Sequence, residues 1–172
     1  MSQRKKNVVD GKDLDRNFKF DVAKRAGGEK LKACFACGTC TAGCPVREIN
    51  DRYNPRRIIR MVLLGMKDEV LASDFIWLCS TCYTCSERCP QGVNIPEIMN
   101  VLKNMAVEAG KTPPSAKAQA DLIRTHGRLY EIDEFDNKKR EKANLPPVET
   151  KCPAVAKIFE LAGLDAILKE KE

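Results

Sequence analysis

Two short cysteine runs constrain this chain more than anything else in it. Cys34 to Pro45 reads C-F-A-C-G-T-C-T-A-G-C-P, and Cys79 to Pro90 reads C-S-T-C-Y-T-C-S-E-R-C-P. Both follow C-x2-C-x2-C-x3-C-P, the spacing of proteins that hold two cubane iron–sulfur clusters. Three cysteines at steps of three residues let one tight loop cover three corners of a cubane. The fourth corner faces away and takes a thiolate from elsewhere in the chain. In two-motif proteins the fourth cysteine of each run serves the other cluster. The expected ligand sets are therefore Cys34, Cys37, Cys40 and Cys89 for one [4Fe–4S] cluster, and Cys79, Cys82, Cys85 and Cys44 for the other. Pro45 and Pro90 follow the remote ligands, where a fixed φ and a missing N–H turn the chain out of the loop. Structural zinc also takes four thiolates, but as C-x2-C pairs split by a longer loop, which is not the pattern here.

Nine cysteines with no apolar stretch in M-S-Q-R-K-K-N-V-V-D-G-K-D point to metal-bound thiolates in a reducing cytoplasm, not to a disulfide framework. The apolar run I-I-R-M-V-L-L-G-M is broken by Arg60 and falls short of a membrane span. The formal charge of +6 counts every cysteine as neutral. Two oxidised clusters of roughly −2 each, thiolates included, bring the loaded protein to about +2. The basic balance thus largely offsets the cofactors and does not argue for nucleic acid. An aromatic content of 6% also leaves few stacking platforms.

The pattern around the motifs is helical. Asn54 then Pro55 reads as a helix start, with Ile58, Ile59, Val62, Leu63 and Met66 on one face and Arg56, Arg57 and Arg60 on another, closing near Gly65. Arginines in a first turn oppose the helix dipole, so they are either a solvated face or a surface for an acidic partner. Asn94 and Pro96 open a second helix carrying Ile98, Val101, Leu102, Met105 and Ala106, ended by Gly110. A third is expected over residues 116–125 before His126-Gly127, and a last one opens at Cys152-Pro153 and ends at Gly163. His126 has no second histidine or acidic cluster near it in sequence, so no catalytic residue is assigned. Cys152 is the ninth cysteine and is expected as a free, semi-buried thiol.

The flanks are polar. In N-F-K-F-D-V the alternation of Phe18, Phe20 and Val22 predicts a short strand, in a segment that is a tail, packs on its own domain, or docks on a partner. From Glu131 to Lys151 eleven of 21 residues are charged, which predicts an extended arm or linker. The expected organisation is an N-terminal arm (1–28), a two-cluster domain (29–112) and a C-terminal helical or extended docking segment (113–172). The fold class is all-α: an α-helical ferredoxin-like domain with extended arms, small enough that metal binding should supply folding free energy.

Beyond the cysteines, N-P-R-R-I-I-R-M-V-L-L-G, the context W-L-C-S-T-C-Y-T-C-S-E-R-C-P-Q-G-V, N-M-A-V-E-A-G and, more loosely, I-D-E-F-D-N-K-K-R carry a resemblance over residues 28–145. The chain resembles the C subunit of soluble heterodisulfide reductase. That resemblance implies an electron relay in a cytoplasmic hetero-oligomer of methanogenesis. Its partners would be a flavin-containing iron–sulfur subunit and a cysteine-rich subunit that cleaves the coenzyme M–coenzyme B heterodisulfide. Such a disulfide-cleaving site uses adjacent cysteines, and this chain has none. Two other readings stay open: a relay subunit of another redox complex, heterodisulfide-reductase-like or of the succinate/fumarate type, and a free ferredoxin. The succinate/fumarate type also carries an upstream [2Fe–2S] domain, for which the residues before Cys34 hold no cysteine.

Overall fold

A computed structural model describes residues 9–165. Ten α-helices follow one another: α1 (Phe18–Ala23), α2 (Thr39–Ala42), α3 (Pro45–Ile49), α4 (Pro55–Leu64), α5 (Lys67–Leu71), α6 (Thr84–Glu87), α7 (Ile95–Glu108), α8 (Pro114–His126), α9 (Glu134–Lys142) and α10 (Pro153–Leu161). Among the described residues no strand forms, so the fold is all-α. The chain divides into two compact units between Lys111 and Thr112.

The first unit is built on α4 and α7, and both start where the sequence places them. Asn54 caps α4, its Oδ1 accepting from Arg57 N–H at 3.0 Å, with Pro55 in the first turn and Gly65 closing the helix at φ 84. The α4 face of Ile58, Ile59 and Val62 is essentially solvent-free, as are Ile98, Met99 and Leu102 of α7. A side chain such as these contributes roughly 1.5–3 kcal/mol on burial. Helix α5 packs on both α4 and α7. A 3-10 turn stands before each cysteine run, Glu29–Ala33 before Cys34 and Phe75–Leu78 before Cys79. Each anchors its loop with one fully buried residue three positions before the first cysteine, Leu31 and Ile76.

The strand expected around Phe18 is a helix instead. Phe18 and Val22 stand at i and i+4, and both are fully buried in the core formed with α4 and α7. Phe20 points outward at 42% exposure, with the ammonium groups of Lys19 and Lys32 about 5 Å from its ring centre. Three apolar residues at alternate positions fit both periods. The core accepts the two that a helix brings together. The segment is thus built into the first unit.

In the second unit, α8 ends at Gly127, whose φ is 68, and packs against α10. The stretch expected to be extended contains α9. Its first turn is capped by Asp133 Oδ1, which accepts from Asp136 N–H at 2.8 Å. Acidic residues lie at its start and Lys139, Arg140 and Lys142 at its end, an arrangement that complements the helix dipole without any buried face. The chain after α9 folds back through paired bonds between the Asn137 side chain and the Val148 backbone, at 2.9 and 3.0 Å. His126 Nδ1 lies 2.9 Å from the Thr150 carbonyl oxygen, a local structural contact. Cys152 is a free, half-buried thiol against Gly127.

Candidate functional site

The two cysteine runs adopt one conformation twice. Each begins at the end of its 3-10 turn with an extended cysteine, Cys34 or Cys79. Two left-handed residues follow in each loop: Ala36 (φ 61) and Gly38 (φ 93) in the first, Thr81 (φ 55) and Tyr83 (φ 59) in the second. Left-handed backbone costs a residue with a Cβ of order 1–3 kcal/mol, and such strain gathers at ligand-holding loops. A one-turn helix then carries the third cysteine, Cys40 on α2 and Cys85 on α6, and these two helices pack together.

That packing interleaves the motifs. One recess is lined by Cys34, Cys37 and Cys40 of the first run together with Cys89 of the second. In the second group, Cys79, Cys44 and Cys85 all lie within electrostatic reach of the Tyr53 phenol, Cys79 acting most strongly, and Cys82 lies within reach of Cys85. Cys40 and Cys85 lie within electrostatic reach of each other, so the two groups adjoin. Among the described residues no three Cys, His, Asp or Glu side chains converge closely enough to hold a single ion. The four thiols of the first group line an open recess instead.

Electrostatics divide the thiols into outer and inner ones. Cys37 and Cys82 are exposed, and hydrogen bonding to Thr39 and Thr84 lowers their pKa values; the Sγ to Oγ1 distances are 3.4 and 3.5 Å. Burial raises the Cys40 thiol and pushes Cys85 up to about 11, and neighbouring cysteines add to both shifts. Inner thiols of this kind give up their protons when iron replaces them. Val93 N–H donates to Cys89 Sγ at 3.3 Å.

Three residues at the cysteine loops stand outside the cysteine pattern. Tyr53 is 2% exposed, and burial first, then Cys79, holds its phenol well above its ordinary pKa. Arg56, on the face read as either solvated or acid-binding, lines the recess of the first group. Glu97, in the first turn of α7, accepts a 2.6 Å bond from Tyr83 Oη. No sequence signal marks Tyr53 or Glu97, because only the packing of α2 against α6 and of α6 against α7 brings them to the loops. The C-x-T-C repeat does carry a signal for Thr39 and Thr84, which occupy the same place in both runs.

A helical unit with two matched, interleaved four-thiol loops defines a two-cluster α-helical iron–sulfur protein. Consistent with that class, a family model described as a 4Fe-4S dicluster domain matches residues 30–93. Relatives extend the match over most of the chain. It is 34% identical over 173 aligned positions, covering 96% of this chain and 92% of the relative, to the C subunit of H(2):CoB-CoM heterodisulfide,ferredoxin reductase of Methanothermobacter thermautotrophicus. It is 39% identical, with 84% and 88% covered, to the C subunit of ferredoxin:CoB-CoM heterodisulfide reductase of Methanosarcina mazei. A third relative, the C2 subunit of H(2)/formate:CoB-CoM heterodisulfide,ferredoxin reductase of Methanococcus maripaludis, is 40% identical, with 80% and 78% covered. The chain belongs to the family of heterodisulfide reductase C subunits. It is an iron–sulfur electron-transfer protein with two [4Fe–4S] clusters. No described helix is long and apolar enough to cross a membrane.

Proposed function

We propose that this chain is the electron relay of a cytoplasmic heterodisulfide reductase complex of methanogenesis. It passes electrons from a flavin-containing iron–sulfur subunit to the cysteine-rich subunit that cleaves the CoM–CoB disulfide. Cys34, Cys37, Cys40 and Cys89 hold one cluster, and Cys79, Cys82, Cys85 and Cys44 hold the other. The observation that carries this reading is the interleaving of the runs, with Cys89 in the recess of the first motif and Cys44 acting together with Cys79 and Cys85 on the Tyr53 phenol. Each cluster, when bound, stores one electron at a time. The protein's part is to fix the clusters side by side through α2 and α6, to hydrogen-bond the sulfurs, and to leave no open ligand position for a substrate. The chain itself carries no catalytic residue.

Residues 113–172 serve in this reading as the docking segment. The second unit has no buried residue on α8, α9 or α10. Leu129, Tyr130, Phe135, Ile158 and Leu161 are each more than half exposed, an amount of apolar surface that suits a partner subunit.

The test is reconstitution. Anaerobically loaded chain should hold about eight iron and eight sulfide, as two cubanes require. Chemically reduced, it should fail to reduce the heterodisulfide alone, yet restore electron flow when added to the flavin-containing and disulfide-cleaving partners. Turnover of the disulfide by the isolated chain, or equal flow through the complex without its clusters, would overturn the relay.

A further inference from the structure

The two loops superpose in sequence position by position, yet the groups standing over them carry opposite charge. Gly38 and Tyr83 occupy the same left-handed site between the second and third cysteines. Over Gly38 lies Arg56, its Cδ and Nη1 each 3.7 Å from where a Cβ on that glycine would stand. The backbone of Arg56 is pinned, its N–H donating to Thr41 Oγ1 at 3.0 Å. Among the described residues no carboxylate pairs with its guanidinium. Over the second loop stands Glu97, bonded to the Tyr83 hydroxyl and likewise without a cationic partner among the described residues. Each group comes from the first turn of a long helix C-terminal to its loop, α4 (beyond the short α3) for the arginine and α7 for the glutamate.

Neutral donors to sulfur do not distinguish the two sites in this way. Thr39 and Thr84 approach Cys37 and Cys82 at nearly the same distance. Val93 N–H serves the first group through Cys89, and the Tyr53 hydroxyl stands by Cys79 in the second. What differs at the matched sites, Gly38 and Tyr83, is charge; a further guanidinium, Arg88 of the second run, packs on Gly43 of the first and is the same in every variant below. Reduction adds one negative charge to a cluster, so a nearby cation stabilises the reduced form and a carboxylate disfavours it. Arg56 lines the recess of the first group and Glu97 touches the second loop through the Tyr83 hydroxyl; salt screens such charges only beyond about 8 Å at physiological strength.

We propose that Arg56 raises the reduction potential of the cluster held by Cys34, Cys37 and Cys40, and that Glu97 lowers that of the cluster held by Cys79, Cys82 and Cys85. The pair gives the relay its direction. One electron, supplied by the flavin-containing partner, enters the Glu97-side cluster. It passes to the Arg56-side cluster, oxidising the first as it reduces the second, and leaves on the Arg56 face. This rests on the two-cluster relay reading, but not on which fourth cysteine serves which cluster, because Arg56 and Glu97 meet the runs at Gly38 and Tyr83, between the second and third cysteines of each.

The experiment is an EPR-monitored redox titration of the full-length, anaerobically reconstituted chain and four variants. Iron and sulfide are measured alongside. Wild type should show two midpoints. R56Q should lower the higher one and leave the other in place, while R56K keeps both near wild type. E97Q, whose amide oxygen still accepts from Tyr83, should raise the lower midpoint alone. The R56Q/E97Q double variant should bring the two together, and raised salt should narrow the wild-type gap. If R56Q fails to load, E97Q and the salt series still decide. Two midpoints that stay put, move in the same direction, or answer to the opposite substitution would sink the charge assignment while leaving the relay standing. A single midpoint with half the iron would remove both.

Discussion

The Thr41 hydroxyl donates to Asn54 Oδ1 across 3.0 Å, and it accepts from Arg56 N–H at the same distance. Asn54 Oδ1 in turn accepts from Arg57 N–H. Two orphan donors of the α4 N-terminus are thereby satisfied by a pair of side chains, one of them supplied by the first cysteine loop. The second loop repeats the tie, Ser86 Oγ donating to Asn94 Oδ1 at 2.9 Å just before α7. In the first half cap and loop are a single construction; in the second the loop is tied to Asn94, which makes no side-chain cap to α7.

Asn54→Ala should therefore cost about 0.5–2 kcal/mol, the range for loss of an N-cap. Thr41→Val should cost about as much, since it leaves the Arg56 N–H and one Asn54 lone pair unpaired. The double variant should lose less than the sum, because the two side chains share one network. Anaerobic guanidine denaturation of the loaded protein measures all three. Strict additivity would mean that the loop and the cap act separately.

Phe18 and Val22 predict the consequence of trimming the N-terminus. Both are fully buried among the α4 and α7 side chains, so Phe18→Ala should destabilise the first unit by about 3–5 kcal/mol. Removing residues 1–26 should go further and impair cluster retention. A dispensable arm would instead leave the iron content unchanged after that deletion. Truncation after residue 112 is the contrasting case. It should spare both clusters and weaken binding to partner subunits, measured by co-purification.

Local chemistry makes much of this legible in the sequence. Asn54-Pro55 and Gly65 bracket α4, Gly127 ends α8, and Cys152-Pro153 opens α10, because caps and stops act within a few residues. Helix α1 escapes such rules because Phe18, Phe20 and Val22 satisfy two periods, and only the position of the core chooses between them. Helix α9 escapes them for the opposite reason. It has no apolar face, and its order comes from the Asp133 cap and the charge gradient along it. At the site, the cysteines and the repeated threonines are written in the runs themselves. Tyr53, Arg56 and Glu97 reach the cysteine loops only through packing, which no spacing rule encodes.

Tyr53 offers a probe of the second thiol group. Its ring is in the core, and its hydroxyl faces Cys79, with Cys44 and Cys85 within electrostatic reach. Tyr53→Phe keeps the ring and deletes the O–H. A hydrogen bond to a ligand sulfur draws off charge and favours the reduced cluster. The substitution should then lower one of the two midpoints, the same one that E97Q raises, with a stability change of only about 1 kcal/mol. Movement of the other midpoint would place Tyr53 with the first group.

Cys44 separates crosswise from local ligation. Only four residue steps separate it from Cys40, a reach of at most about 14 Å, so chain length alone permits a ligand set of Cys34, Cys37, Cys40 and Cys44. The surroundings argue otherwise, since Cys44 neighbours Tyr53 together with Cys79 and Cys85, and the recess of the first run takes Cys89. Cys44→Ala should leave the cluster of Cys34, Cys37 and Cys40 intact and damage the one held by Cys79, Cys82 and Cys85. Cys89→Ala should do the reverse. The readout is the pairing of these variants with R56Q. The midpoint that survives in Cys44→Ala must be the one that R56Q lowers, and the survivor in Cys89→Ala must ignore R56Q. Survivors exchanged between the two variants would show that each run holds its own cluster.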